Sequence, residues 1–174
     1  MSVSLRCYST SLGCPKNRVD TERLLGSLGV ELVPVESPDE AELVFINTCA
    51  FIQPATEESV RTIAQAIADI EGLPKRPLLA VAGCLVGRYH AEDLAPELPE
   101  VDLWLDNSDL EEWPAMLARK LGLPEPTAPG RILSTGPSYA WLKISDGCRH
   151  ACSFCAIPNI RGGHRSHCKD MIVR

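Results

Sequence analysis

Val3, Leu5 and Cys7 alternate with Ser4 and Arg6, the period of a half-buried strand. Residues 17–28 have helical spacing, with Asn17 placed as a cap and Gly29 just past the end. Residues 31–35 and 43–47 are apolar runs of strand length. Pro54 suits a first helical turn, and after it Val60, Ile63, Ala64, Ile67 and Ile70 recur at helical spacing until Gly72 and Pro74. Residues 78–82 read as a strand buried on both faces, and residues 101–105 as another. A last helix ends by Gly122. Ser108 and Glu111 suit a capping box at its start, whereas Pro114 belongs in a first turn.

Strands alternating with helices imply right-handed crossovers and a mostly parallel sheet. Residues 1–121 are therefore expected to form an open α/β domain of Rossmann or flavodoxin type, with helices on both faces. Residues 122–138 hold four prolines and three glycines and read as a linker. Residues 139–174 open with an expected strand at 140–145. The glycine signatures of dinucleotide and Walker-type phosphate loops are missing, as is a serine nucleophile elbow.

Composition narrows the class. Hydrophobic residues make up 45% of the 174-residue chain and charged residues 23%, as in globular proteins. The longest apolar run, residues 78–86, is too short to cross a bilayer, so no membrane is expected. The net charge of −6 argues against nucleic acid as a partner bound by charge alone. The charge is uneven: in residues 139–174 Lys143, Arg149, Arg161, Arg165, Lys169 and Arg174 stand against Asp146 and Asp170, so the acidity lies in the first 138 residues. The opening MSVSLRC has no secretory pattern, so a cytoplasmic location and reduced thiols are expected for the eight cysteines.

Cys14, Cys49 and Cys84 are separated by 35 residues each and sit in unlike contexts, SLGCPKN, INTCAFI and VAGCLVG. Each follows directly on an expected strand. Ligands in an open α/β sheet collect beyond the carboxyl ends of the strands, so the three could converge on a metal or iron–sulfur site. Burial as three small residues in a packed sheet is the other reading. Cys7 lies on the apolar face of the first strand and reads as packing. Cys148, Cys152 and Cys155 form Cys-x3-Cys-x2-Cys, three thiolates close enough to wrap one cluster and leave an iron open. Zinc would want a fourth ligand, which His150, His164, His167 or Cys168 could supply, but a second Cys-x2-Cys pair is missing.

Cys-x3-Cys-x2-Cys with Phe154 before its last cysteine resembles the radical S-adenosylmethionine motif. SLGCPKNRVDTE, INTCAFIQPATEES and AGCLVGRY resemble the amino-terminal domain of methylthiotransferases. Within that family Pro15-Lys16-Asn17, Glu57-Glu58-Ser59 and AIPNIRG at residues 156–162 are similar to the RimO branch, which modifies an aspartate of a small-subunit ribosomal protein. The MiaB branch, which acts on an adenosine of tRNA, more often has Gln-Met where Pro15-Lys16 stand. Arg165-Ser166-His167-Cys168 departs from the Ser-Arg-Pro that usually continues the family's Arg-Gly segment.

The resemblance implies two 4Fe-4S clusters, one on Cys14, Cys49 and Cys84 and one on Cys148, Cys152 and Cys155. The second would bind S-adenosylmethionine, with Phe154 beside it, and an electron donor would drive formation of a 5′-deoxyadenosyl radical. The first would carry the sulfur of the methylthio group delivered to the β-carbon of the target aspartate. Asp20, Lys16 and Asn47 would stand beside the first cluster. The family's catalytic half is a β/α barrel, which needs about 200 residues. Only 36 follow Ser138, so an incomplete enzyme, inactive alone, is expected. A non-catalytic iron–sulfur or zinc module is the reading from another class.

Overall fold

The computed structural model describes residues 4–173. Its centre is a sheet of β1 (Ser4–Ser11), β2 (Glu31–Pro34), β3 (Leu43–Thr48), β4 (Leu78–Gly83) and β5 (Leu103–Leu105), in the order β2-β1-β3-β4-β5. All four pairings are parallel. This is the doubly wound, flavodoxin-like order, whose switch point falls between β1 and β3.

The pleat sorts the core into two faces. Val44, Ile46, Leu79 and Val81 pack under α2 (Gln53–Ile70) and α3 (Cys84–Tyr89), with Ile63, Ala66, Ile70, Leu85 and Val86 closing that layer. Leu5, Cys7, Leu43, Phe45, Ala80 and Ala82 pack on the other face. There α1 (Pro15–Ser27) contributes Leu24 and Leu25, and α5 (Trp113–Leu121) contributes Trp113 and Leu117. Every residue of β3 is buried because both of its faces are covered. Burial of each such Leu, Ile or Phe stabilises the fold by about 1.5–3 kcal/mol.

Several expectations need refinement. Val3, expected in the first strand, lies outside the described residues. Helix α1 starts at Pro15 with Cys14 as its cap, because the fixed φ of proline suits the first turn. Asn17 is therefore inside the helix, and its amide bonds elsewhere. In α2 the buried line is Thr56, Ser59, Ile63, Ala66 and Ile70, whereas Val60 and Ala64 are exposed. The apolar stretch 78–86 is one run in sequence and two elements in space, since Gly83 at φ +99° ends the strand and α3 begins at once. A short α4 (Ala91–Leu94) follows it. Asp106 takes the Ser108 N–H at the head of a 3-10 turn, and α5 begins only at Trp113, with Pro114 in its first turn.

Residues 122–144 run without regular elements. They are tied to α1: Glu22 accepts from Arg131 Nε (2.9 Å) and from the Ser134 N–H (2.9 Å), and Ser27 Oγ accepts from the Gly130 N–H (2.9 Å). Gly26 permits this approach, as a Cβ there would lie 2.5 Å from the backbone of Arg131. The strand expected at 140–145 is only the pair Ser145–Asp146 (β6), antiparallel to Arg165–Ser166 (β7) and separate from the main sheet. Between them α6 (Ile157–Arg161) lies on α3, where a Cβ on Gly87 would come within 2.6 Å of the Ile160 carbonyl oxygen. A final α7 spans Lys169–Val173.

Candidate metal centre

Cys14, Cys49 and Cys84 follow β1, β3 and β4, three neighbours in the sheet, at their carboxyl ends. Register aligns Ser11 with Asn47 and Thr48 with Gly83, so the chain leaves all three strands at nearly one level. Cys49 and Cys84 are buried and Cys14 is exposed. Gly13, at φ +80°, lies flat against Cys49: a Cβ there would stand 2.6 Å from its sulfur.

Each cysteine is anchored through its backbone or its neighbours. Ser59 Oγ accepts from the Cys49 N–H (3.0 Å) and donates to its carbonyl (2.7 Å). This is why the buried line of α2 carries a serine at that turn. Thr48 Oγ1 accepts from the Leu85 N–H (3.1 Å) and fixes the start of α3 beside Cys84. Cys14 caps α1, its carbonyl accepting from the Asn17 N–H at 3.1 Å. The Asn17 amide then ties the strand ends together. Nδ2 donates to the carbonyls of Leu12 and Thr48, both at 2.8 Å, which turns Oδ1 towards Cys84 Sγ, 3.8 Å away. Asn47 supports it from below, donating to the Asn17 carbonyl (2.9 Å) and to Thr21 Oγ1 (3.1 Å).

The thiols act on one another. Burial pushes the Cys84 thiol up, the Arg161 guanidinium beside it pulls the other way, and Cys49 and Cys14 push it up further. Cys7 is a contrast: burial alone pushes its thiol up to about 12, which keeps it neutral and inert in the core.

The donor chemistry fits an iron–sulfur group, with three soft sulfurs at one sheet end and one of them open to solvent. Among the described residues no three His, Cys, Asp or Glu side chains are gathered tightly enough to hold a single metal ion. A cubane asks for a wider ring, since each thiolate takes a different iron.

In the second segment Cys148 and Cys155 are half-buried and Cys152 is exposed. The Cys148 N–H donates to the Gly162 carbonyl (3.2 Å) and the Cys155 N–H to the Cys152 carbonyl (3.0 Å). Phe154 is 91% exposed. His167 buries its Nε2 without a hydrogen-bond partner among the described residues, and Cys168 is exposed.

Two basic residues of this segment turn inward. Lys143 Nζ lies 2.5 Å from Asp20 Oδ1 and from Asp146 Oδ2, and Arg161 Nη1 lies 3.2 Å from Asp20 Oδ2. Burial would raise the Asp146 carboxyl, but Arg161, Lys143 and Lys16 outweigh it and hold the group well below the usual carboxylate range. Sequence spacing missed this group because Asp20 lies more than a hundred residues from the other members. Asn17, read as a helix cap, and Ser59, quoted only as part of a motif, are the other residues whose roles spacing did not reveal.

Among the described residues no helix is long and apolar enough to cross a membrane. The chain is 70% identical over 167 residues to the ribosomal protein uS12 methylthiotransferase RimO of Nitratidesulfovibrio vulgaris, covering 96% of this chain and 39% of that protein. The protein of the same name from Lawsonia intracellularis is 55% identical over 174 residues (99% and 40%), and that from Aquifex aeolicus 49% over 166 residues (94% and 35%). The chain thus spans about two fifths of the length of the curated relatives it matches. The model of the family described as "Uncharacterized protein family UPF0004" matches residues 6–106, the sheet with all three of its tip cysteines, and the chain belongs to that family.

Proposed function

We propose that these residues are the cluster-binding part of a methylthiotransferase acting on ribosomal protein uS12. Cys14, Cys49 and Cys84 would hold one 4Fe-4S cluster, and Cys148, Cys152 and Cys155 a second that takes S-adenosylmethionine. The supporting observation is that the tip cysteines sit on three adjacent strands around one Asn17 amide, in a chain 70% identical to a relative of that name. When bound, the clusters supply reductive cleavage of S-adenosylmethionine and a site for exchangeable sulfur.

The protein's own share is binding and orientation. Ser59 and Thr48 fix the backbone that presents Cys49 and Cys84. The Asn17 amide keeps its acceptor on the sulfur side by spending both N–H groups on carbonyls. Cys14, exposed at the head of α1, gives the first site its opening to a reaction partner. Three ligands for each cluster leave one iron uncommitted, for S-adenosylmethionine at one site and for sulfur at the other. Phe154 offers an open aromatic face beside Cys155. The acidic first 138 residues would draw a basic ribosomal protein more readily than an RNA, with the β-carbon of an aspartate as the acceptor. The reaction belongs in the cytoplasm, where ribosomes are made.

The test is a polypeptide as long as the relatives and containing this sequence, assayed anaerobically on uS12 and on tRNA. Methylthiolation of uS12, with no gain of methylthio mass on tRNA, is expected, and methylthiolation of tRNA alone would overturn the substrate. Cys152→Ala should abolish reductive cleavage of S-adenosylmethionine. Cys14→Ala should leave that cleavage and abolish methylthio transfer, and loss of both in Cys14→Ala would refute the division of labour.

A further inference from the structure

Where residues 143–161 pack on α1, the side chains of Lys143, Arg161, Asp20 and Asp146 are all buried. Their four charges balance, and Lys16, partly open to water, adds a fifth charge 3.5 Å from Asp146 Oδ1, leaving the group net positive. Arg161 Nη1 is held 3.1 Å from Asp146 Oδ2 and 3.2 Å from Asp20 Oδ2, so its guanidinium cannot swing out to solvent. Its Nη2 donates to Asn17 Oδ1, the oxygen that also faces Cys84 Sγ at 3.8 Å. A buried cation thus stands at the edge of the first cysteine site, delivered by the chain segment that carries the second. Ligation through thiolates makes that site anionic, and a nearby cation in a low-dielectric setting favours the more negative state.

We propose that Arg161, although it belongs to the second cysteine segment, is a positioning residue of the first site. Fixed on Asn17 Oδ1 beside Cys84, it supplies the positive charge against which the group bound by Cys14, Cys49 and Cys84 is held, and docking of residues 143–161 completes that site. This rests on the cluster reading given above for the three tip cysteines.

Two arms keep the inference separable from that reading. In the cluster-free chain, alkylation of Cys84 by iodoacetamide under native conditions, read by peptide mass, should rise about tenfold in Arg161→Met, as the covering segment opens locally. In the chain with Cys148, Cys152 and Cys155 replaced by alanine and reconstituted with iron and sulfide, Arg161→Met should lower the reduced-to-oxidised ratio at fixed potential about tenfold, or 59 mV for one electron. Arg161→Lys should recover most of that shift. Asn107→Ala, which removes the 3.3 Å bond to the Ile160 carbonyl and keeps the guanidinium, should raise Cys84 labelling and leave the potential in place. An unshifted potential in Arg161→Met, or an equal shift in Asn107→Ala, overturns the proposal. If the parent chain takes up no cluster, the cluster reading fails by itself, and unchanged Cys84 labelling in Arg161→Met still overturns the contact.

Discussion

Asp20→Asn removes the charge that two buried cations share, and the structure sets the size of the effect. Lys143 Nζ sits 2.5 Å from Asp20 Oδ1 and Arg161 Nη1 3.2 Å from Oδ2, with the Lys143 side chain 1% exposed and that of Asp20 0%. Water cannot replace the lost carboxylate there. Breaking one partner of a buried ionic group costs about 3–5 kcal/mol, and the amide oxygen that remains keeps one acceptor, so the low end, about 3 kcal/mol, applies. That is roughly a factor of 100 or more in an equilibrium. The loss should fall on the docking of residues 143–161 before it falls on the sheet, whose core does not include Asp20. Native-state hydrogen exchange reads it directly. The Cys148 N–H, bonded to the Gly162 carbonyl, and the Ile160 N–H should exchange about 100-fold faster, while the amides of β3 and β4 keep their protection. Because the pairs are buried, raising the salt to 0.5 M should change little. Unchanged exchange at Cys148 and Ile160, or an effect abolished by salt, would refute the reasoning.

Gly13→Ala places a methyl 2.5 Å from Cys49 Cβ at a φ of +80°, so conformational strain and overlap together should cost about 2–4 kcal/mol in urea unfolding and lower iron uptake. The same substitution at Gly29, where φ is +67° and nothing lies within 4 Å, should cost only the conformational part. Asp146 has its folded pKa held below the unfolded value, so it contributes stability that is complete above about pH 4 and is lost as pH falls through the folded value. Acid titration followed by exchange at Cys148 should therefore show the segment opening below about pH 4, and opening between pH 6 and 8 would contradict it. Cys7→Ala should leave iron content unchanged, with a modest stability loss of about 1–2 kcal/mol for the small cavity left in the core on that face of the sheet; a drop in iron would show that its core role has been misread.

The strands and the positions of the tip cysteines were legible because Cys49 and Cys84 each follow an apolar run of strand length and Cys14 follows an alternating one, and a parallel sheet puts the ends of such strands on one edge. A parallel, doubly wound sheet followed from the alternation of elements, but alternation alone does not choose the observed flavodoxin-like order over a Rossmann one. What remained hidden depends on tertiary contact. Asn17 has the chemistry of a helix cap, and Pro15 took that end of the helix, which freed the amide to join strand tips. Val60 fits an apolar stripe, yet the stripe turned to seat Ser59 on the Cys49 backbone. The strand was read over residues 78–82, which Gly83 bounds, but nothing in the apolar run to residue 86 announced that a helix begins at Cys84. Arg161 and Asp20 meet across 141 positions, a pairing no periodicity encodes.

The most direct test of the central claim is an iron and sulfide count with Mössbauer spectra on the chain carrying alanine at 148, 152 and 155, reconstituted without oxygen. About four irons and four sulfides per chain in a cubane, lost on further change of Cys14, Cys49 or Cys84 to alanine, are expected. Retention of one zinc, or of no metal at all, with all three tip cysteines intact would contradict the account.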